Sequence, residues 1–380
     1  MNIQQVKIET ESRLSTTMKT PDNGSNKACS RRDFLGTTLA ASMAIAASRA
    51  ATASAQDAAG AACAPTGHQR PLPFNPRTAA AMPMRNLGKT GFRVGIFSLG
   101  CQAAIEIKGN EKLSVEIMNR ALDLGVNYFD TSNVYGDGVS EEHVGLVVRD
   151  RRGEVFLASK TGKRDYDGAM AHLDTSFKRM HTDHLDLWQI HNLQKMVDVD
   201  RLLAPDGALK ALQKAKSEGL VRFIGVTGHF EPKVLREMIL RAELDCILMA
   251  VNAADRHYLS FIDHLLPTAL EKQMGIIGMK VATRGRMLST WKPDPLEQQP
   301  ERMRTTKPGT ITMAESLAYN FSLPVSTNIV GVDSVAQLEE DLKCAANFVP
   351  LSREQMQALE ERTLPIVRQG LYFRRWDLGA

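Results

Sequence analysis

The chain predicts an α/β fold: a (β/α)8 barrel of the TIM type with an N-terminal hairpin and a C-terminal extension. Two observations predict it. Apolar runs end near Leu99, Phe129, Ser159, Ile190, Thr227, Val251, Val281 and Val332, giving eight candidate strands. Amphipathic segments such as 111–124, 209–218, 233–242 and 335–346 lie between or after them. Strand followed by helix, eight times over, is the pattern of a parallel barrel. An open doubly wound sheet is the competing architecture, but no G-x-G-x-x-G follows the first strand, whose end reads Ser98-Leu99-Gly100-Cys101-Gln102. With 380 residues, 43% of them hydrophobic and 24% charged, the chain has the material for one large core.

The segments are best taken in chain order. Ser30-Arg31-Arg32-Asp33-Phe34-Leu35 precedes a mildly apolar stretch to Ala47, and Ala53-Ser54-Ala55 offers small residues where a signal peptidase would cut. This reads as a twin-arginine (Tat) export signal over 1–55, which implies a Tat translocase partner and a periplasmic or exported destination. The apolar stretch is too short for a membrane span, which needs about 20 residues. Residues 56–83, rich in Ala, Pro and small polar residues, read as a linker or a surface arm. The barrel domain is expected over 84–380. It opens with two short extended pieces around Gly88-Lys89-Thr90-Gly91, a hairpin that would plug the barrel's bottom.

The formal charge of +4 is concentrated in the leader, where seven Lys or Arg face four acids over residues 1–55. The remainder is close to neutral, which gives no electrostatic case for nucleic acid. Cys63, Cys101, Cys246 and Cys344 form no C-x-x-C pair, so neither a zinc site nor an iron–sulfur cluster is indicated, and no metal-ligand spacing emerges elsewhere.

Four polar residues stand near the ends of candidate strands: Asp130 and Tyr135 in N-Y-F-D-T-S-N-V-Y-G, Lys160 in F-L-A-S-K-T-G, and His191 in L-W-Q-I-H-N. Singly, each has an ordinary structural role: Asp130 as a helix cap, Tyr135 in a turn, Lys160 at a surface strand end, His191 as a satisfied histidine. Together they form the constellation that carbonyl reduction needs. Hydride delivery leaves charge on the carbonyl oxygen, so the site must supply a proton and stabilise the alkoxide. Tyr135 is the candidate acid, Lys160 the cation that favours its phenolate, Asp130 the group that holds Lys160, and His191 the group that points the substrate oxygen.

F-D-T-S-N-V-Y-G, A-S-K-T-G, Q-I-H-N, Gly278-Met279-Lys280 and the late I-V-G-V-D-S-V-A-Q-L-E-E-D resemble the aldo-keto reductase superfamily over about residues 84–348. The resemblance implies a nicotinamide-dependent oxidoreductase that reduces an aldehyde, ketone or sugar, with Asp130, Tyr135, Lys160 and His191 as its tetrad. It also implies a cofactor surface. Asn192 and Thr227 would meet the carboxamide, with Gly228 where an amide is usual, and either Asn252 or nothing would stand in for the usual glutamine. Met279 would lie against the nicotinamide with Lys280 beside it, and Arg284 and Arg286 would hold the pyrophosphate. Gly331 and Ser334 would meet the adenosine phosphate, while Gln337, Glu340 and Asp341 would approach adenine and the 2′ position. NADP is the family default. Val332 and Asp333 depart from the basic residues usual beside Gly331, and a carboxylate there suits the ribose hydroxyls of NAD. The alternative function is a cofactor-retaining redox sensor with little turnover.

Overall fold

The computed structural model describes residues 70–299, 301 and 304–376. The expected export signal, and the expected linker up to residue 69, lie outside the described residues.

Eight parallel strands close into a barrel: β3 (Phe97–Gly100), β4 (Tyr128–Asp130), β5 (Phe156–Thr161), β6 (Leu185–Ile190), β7 (Val221–Gly228), β8 (Cys246–Ala250), β9 (Gly275–Met279) and β10 (Thr327–Val330). They neighbour one another in chain order, and β10 pairs with both β3 and β9 to complete the ring. Every predicted run becomes a strand within a few residues of its expected end. Most strands are buried along their whole length, because helices cover one side and the barrel core the other.

The helices follow from periodicity. In Glu111–Asp123 the buried residues are Ser114, Ile117, Met118, Ala121 and Leu122, one stripe at helical spacing. In Val335–Ala346 they are Leu338, Asp341, Leu342 and Ala345, so a carboxylate sits on a packing stripe. Ser334 caps that helix by accepting from the Gln337 amide.

The hairpin is present as β1 (Met84–Asn86) and β2 (Arg93–Gly95), paired antiparallel. Its apolar residues Leu87, Phe92 and Val94 enter the barrel interior among Tyr128, Phe156, Leu187, Cys246 and Leu248. Phe92 stacks on Phe156 with centroids 4.5 Å apart. Burying a side chain such as Leu87, wholly enclosed, contributes about 2 kcal/mol. Its turn passes so close beneath β9 that a Cβ on Gly88, whose φ is +53°, would strike the Gly275 amide.

Residues 70–82 run along the same rim. Arg70 bonds Asp183 at 2.9 Å, ahead of β6, and the Phe74 amide donates to the Gly153 carbonyl, ahead of β5. Asn75 donates to the Leu122 and Val126 carbonyls, ahead of β4, and a short helix, Thr78–Ala81, follows. Among the described residues no helix is long and apolar enough to cross a membrane.

Candidate active site

The four polar residues converge at the C-terminal ends of β4, β5 and β6. Asp130 ends β4, Lys160 lies next to the end of β5, and His191 follows β6. Tyr135 comes from the loop after β4. Lys160 Nζ donates to Asp130 Oδ1, to the Thr131 carbonyl oxygen at 2.7 Å and to the Tyr135 hydroxyl at 3.3 Å. The Tyr135 and His191 rings meet edge to face, centroids 5.6 Å apart. Asp130 and Lys160 are buried, whereas Tyr135 and His191 keep partial exposure at the mouth.

Burial raises the Tyr135 hydroxyl above the ordinary phenol range, and Lys160 pulls it only partly back. The expected downward influence of Lys160 is present but outweighed, so Tyr135 holds its proton near neutral pH. Burial also works to lower the Lys160 ammonium, yet Asp130 and Tyr135 more than offset this and its net direction is upward. Burial, with Lys160, Arg164 and Lys280 nearby, drives His191 well below the usual imidazole range. His191 is therefore a neutral imidazole with Nδ1 3.1 Å from Ser132 Oγ.

The loop that carries Tyr135 is held by groups that sequence reasoning did not single out. Arg179 donates to the Asn133 carbonyl at 3.2 Å and to Glu141 at 3.4 Å. Ser140 bridges Thr131 Oγ1 at 2.7 Å and the Cys101 carbonyl at 2.5 Å. Gly136 has φ +56°, and a Cβ there would collide with the Glu106 carbonyl. Gln189 donates to Asp130 Oδ2 at 3.2 Å. That contact had a signal, since alternate strand residues share a side and Gln189 stands two before His191. Nothing in the sequence links Asp255 to Arg374. They form a wholly buried ion pair in which the Arg374 guanidinium also lies 3.9 Å from the Phe261 ring centroid and donates to the His229 and Ala250 carbonyls. This pair fastens the C-terminal extension beside the mouth, with Phe373 against His229.

The expected cofactor residues divide. Asn192, left-handed at φ +51°, has its amide N–H on Thr227 Oγ1 at 2.8 Å and its Oδ1 at 3.0 Å from His229 Nδ1. Met279 is buried in the barrel interior cluster, where Phe373 packs. Asn252 is wholly buried and commits its amide to the protein, donating to Lys280 O, Thr283 Oγ1 and Gly370 O and accepting from the Ala254 amide. It braces the loop, so a carboxamide contact from it is not part of this arrangement. The Arg286 guanidinium lies over Trp291 and Tyr372, 5.0 and 5.6 Å from their ring centroids, anchoring the extension, while Arg284 remains largely exposed with Glu106 3.7 Å away. Gln337 Oε1 accepts from the Asp333 amide at 2.7 Å, and Glu340 is exposed. Asp341 is buried, and burial together with Glu340 pushes its carboxyl up to about 7. Gly331 and Asp333 are exposed at the end of β10.

A dinucleotide suits this donor set. The Ser334-capped helix is 12 residues long and presents its N-terminus just beyond β10. Thr283, Arg284 and Gly285 are left-handed in succession, with φ of +55°, +54° and +78°. Such strain costs about 1 kcal/mol or more per non-glycine residue and gathers at ligand clamps. Among the described residues no group of three or more His, Cys, Asp or Glu stands where it could hold a metal.

Comparison with known proteins decides the family, because the Aldo/keto reductase family model matches residues 95–363. The chain belongs to the aldo/keto reductase family. An uncharacterized oxidoreductase of Bacillus subtilis, YqkF, is 28% identical over 74% of this chain and 97% of its own length. L-galactose dehydrogenase of Arabidopsis thaliana is 27% identical over 72% of this chain and 91% of its own. A solved aldo-keto reductase from Bacillus halodurans, in its holo form, superposes with a TM-score of 0.60 at 24% identity, covering 74% of this chain and 96% of that one. One from Klebsiella pneumoniae, in complex with NADPH, gives 0.58 at 20% identity over 73% and 94%. As an aldo/keto reductase the protein is an oxidoreductase that reduces a small-molecule carbonyl with a nicotinamide cofactor.

Proposed function

We propose that this aldo/keto reductase is an exported carbonyl reductase in which Tyr135 is the proton donor. The carrying observation is the Lys160 ammonium, which bridges buried Asp130 and the Tyr135 hydroxyl. Bound nicotinamide cofactor supplies the hydride. Tyr135 gives its proton to the carbonyl oxygen, and Lys160 lowers the cost of the phenolate left behind. Asp130 keeps Lys160 charged and in place, and Gln189 and Tyr128 support that carboxylate. Neutral His191 orients the carbonyl oxygen through its remaining ring nitrogen.

Asn192, Thr227 and Met279 would position the nicotinamide, and Arg284 with the Ser334 helix end would take the phosphates. NADP is the favoured form on the NADPH complex of the Klebsiella relative. Asp333, exposed beside Gly331, keeps NAD as the second reading. Arg31-Arg32 with the Ala53-Ser54-Ala55 site supports Tat export, and a cofactor-dependent enzyme has reason to leave the cytoplasm folded.

Fluorescence titration with NADPH and with NADH, followed by a carbonyl panel, tests the reductase reading. Binding followed by oxidation of the cofactor is the expected result; binding without oxidation by any carbonyl would favour a sensor instead. Arg31→Lys with Arg32→Lys should hold the precursor in the cytoplasm, and normal export of that variant would refute the signal.

A further inference from the structure

The cations around the mouth are not alike. Lys160 is matched by Asp130 and Arg374 by Asp255, and Arg284 has Glu106 nearby. Among the described residues Arg164 has no carboxylate within ion-pair distance. Its guanidinium donates to the carbonyls of Gly162, His191 and Asn192, so its charge stands beside the tetrad histidine with Asp198 acting on it only from beyond ion-pair distance. Among the described residues Lys280 has no carboxylate within ion-pair distance and no hydrogen bond from its amine, although Glu106 acts on it from farther away.

Lys280 is also deliberately placed. It follows β9 in the left-handed region at φ +65°, a conformation that lysine rarely adopts. Its carbonyl is held by Asn252 Nδ2 at 3.1 Å, Thr283 Oγ1 at 3.2 Å and the Thr283 amide at 3.3 Å. A buried asparagine and a buried threonine thus fix the backbone from which an unpartnered ammonium departs. Its charge acts on His191 and on His229, the two histidines at the mouth. Because it directly follows β9, it stands at the same C-terminal rim as the tetrad, while Arg284 and the Ser334 helix end offer separate donors to the cofactor's phosphates.

We propose that the preferred substrates carry an oxyanion, carboxylate or phosphate, within a few bonds of the reacting carbonyl, and that Lys280, with the field of Arg164, recognises it. This rests on the reductase reading above. A half-buried cation without a partner is costly, and a ligand oxyanion would match it with charge-assisted hydrogen bonds. Burial, with Arg284 and Lys160 alongside, lowers the Lys280 amine to about 8, and Glu106 opposes this. His191 and His229, the other titratable groups facing it, are neutral near pH 7, so they neither compete with Lys280 nor shield it. Anion recognition should therefore be near full at about pH 7 and below and fade as the pH rises through about 8, where Lys280 loses its proton.

The test uses two matched pairs, 4-carboxybenzaldehyde against benzaldehyde and glyceraldehyde 3-phosphate against glyceraldehyde. Calorimetric titration of the cofactor-loaded protein with benzoate, inorganic phosphate and neutral benzyl alcohol accompanies it. The wild type should favour the anionic member of at least one pair by about tenfold or more in kcat/KM. Lys280→Met should bring that ratio toward one and remove the matching anion's heat of binding, and Lys280→Arg should keep part of both. A response of the first pair assigns a carboxylate, and of the second a phosphate. Equal treatment of both members of both pairs by the wild type overturns the proposal. So does a ratio that survives Lys280→Met while NADPH affinity falls, which would make Lys280 a cofactor group. If no aldehyde is turned over, the reductase reading fails by itself. Benzoate and phosphate binding then decides anion recognition alone, with loss in Lys280→Met supporting it and no binding in the wild type overturning it.

Discussion

Asp130 at the mouth and Asp186 at the bottom are both wholly buried carboxylates on barrel strands, and they are used in opposite ways. Asp186 accepts from Arg152 at 2.8 Å, Arg222 Nε at 2.7 Å and the Leu157 amide at 2.8 Å. Arg222 goes on to the Arg70 and Pro71 carbonyls, so the network ends by tying down the N-terminal arm. Every charge there is answered by a fixed neighbour. Asp130 instead holds a lysine whose remaining reach ends on a phenol that can give up its proton. A network of matched fixed charges stores stability, whereas one that stops at an exchangeable proton stores reactivity.

Four substitutions probe that contrast, in descending order of expected effect. Asp186→Ala strands two arginines and should cost about 3–5 kcal/mol in urea denaturation, with turnover per folded molecule retained. A smaller loss, within that of surface variants, would show that the bottom network is not structural. Tyr135→Phe should do the reverse, cutting turnover about 10²-fold or more while melting temperature and cofactor affinity hold. Unchanged turnover would remove Tyr135 from the proton step. Asp333→Arg should move cofactor preference a few-fold toward NADP; a constant NADPH to NADH ratio would show that residue 333 does not face the ribose.

The smallest effect concerns a third buried carboxylate, Asp341, for which no basic partner among the described residues stabilises the charge. Its folded value near 7 lies above that of the unfolded chain, so the folded state binds more protons in between. Stability should therefore fall as pH climbs from about 4 to about 7 and stay lower above. Asp341→Asn should melt a few degrees higher than the wild type at pH 8 and with it at pH 4. Equal melting points at both pH values would mean that Asp341 is solvated.

The barrel was legible because its signals are local. Each strand is a short apolar run, and the stripe Ile117, Met118, Ala121, Leu122 announces its helix directly. The tetrad was legible for a related reason: strand ends of a parallel barrel must meet at one rim, so Asp130, Lys160 and His191 needed no long-range information. What was missed depends on distant partners. The Asp255–Arg374 pair spans 119 residues, and the bracing of the Tyr135 loop by Arg179 depends on how two helices pack. Asn252 and Arg286 were read by position along the chain, yet which way an amide or guanidinium turns is settled by neighbours such as Gly370, Trp291 and Tyr372. The pull of Lys160 on the phenol follows from adjacency, whereas its net upward direction depends on burial in the assembled mouth, which outweighs that pull.

The stopper at the bottom has a kinetic corollary. With Leu87, Phe92 and Val94 filling that end, the doorway among the described residues is the C-terminal rim where the tetrad stands. Reactants and products must share it, so whatever lodges deepest arrives first and departs last. An ordered sequence of arrivals is therefore the kinetic pattern to expect, favoured by a hairpin that lies at the far end from the chemistry.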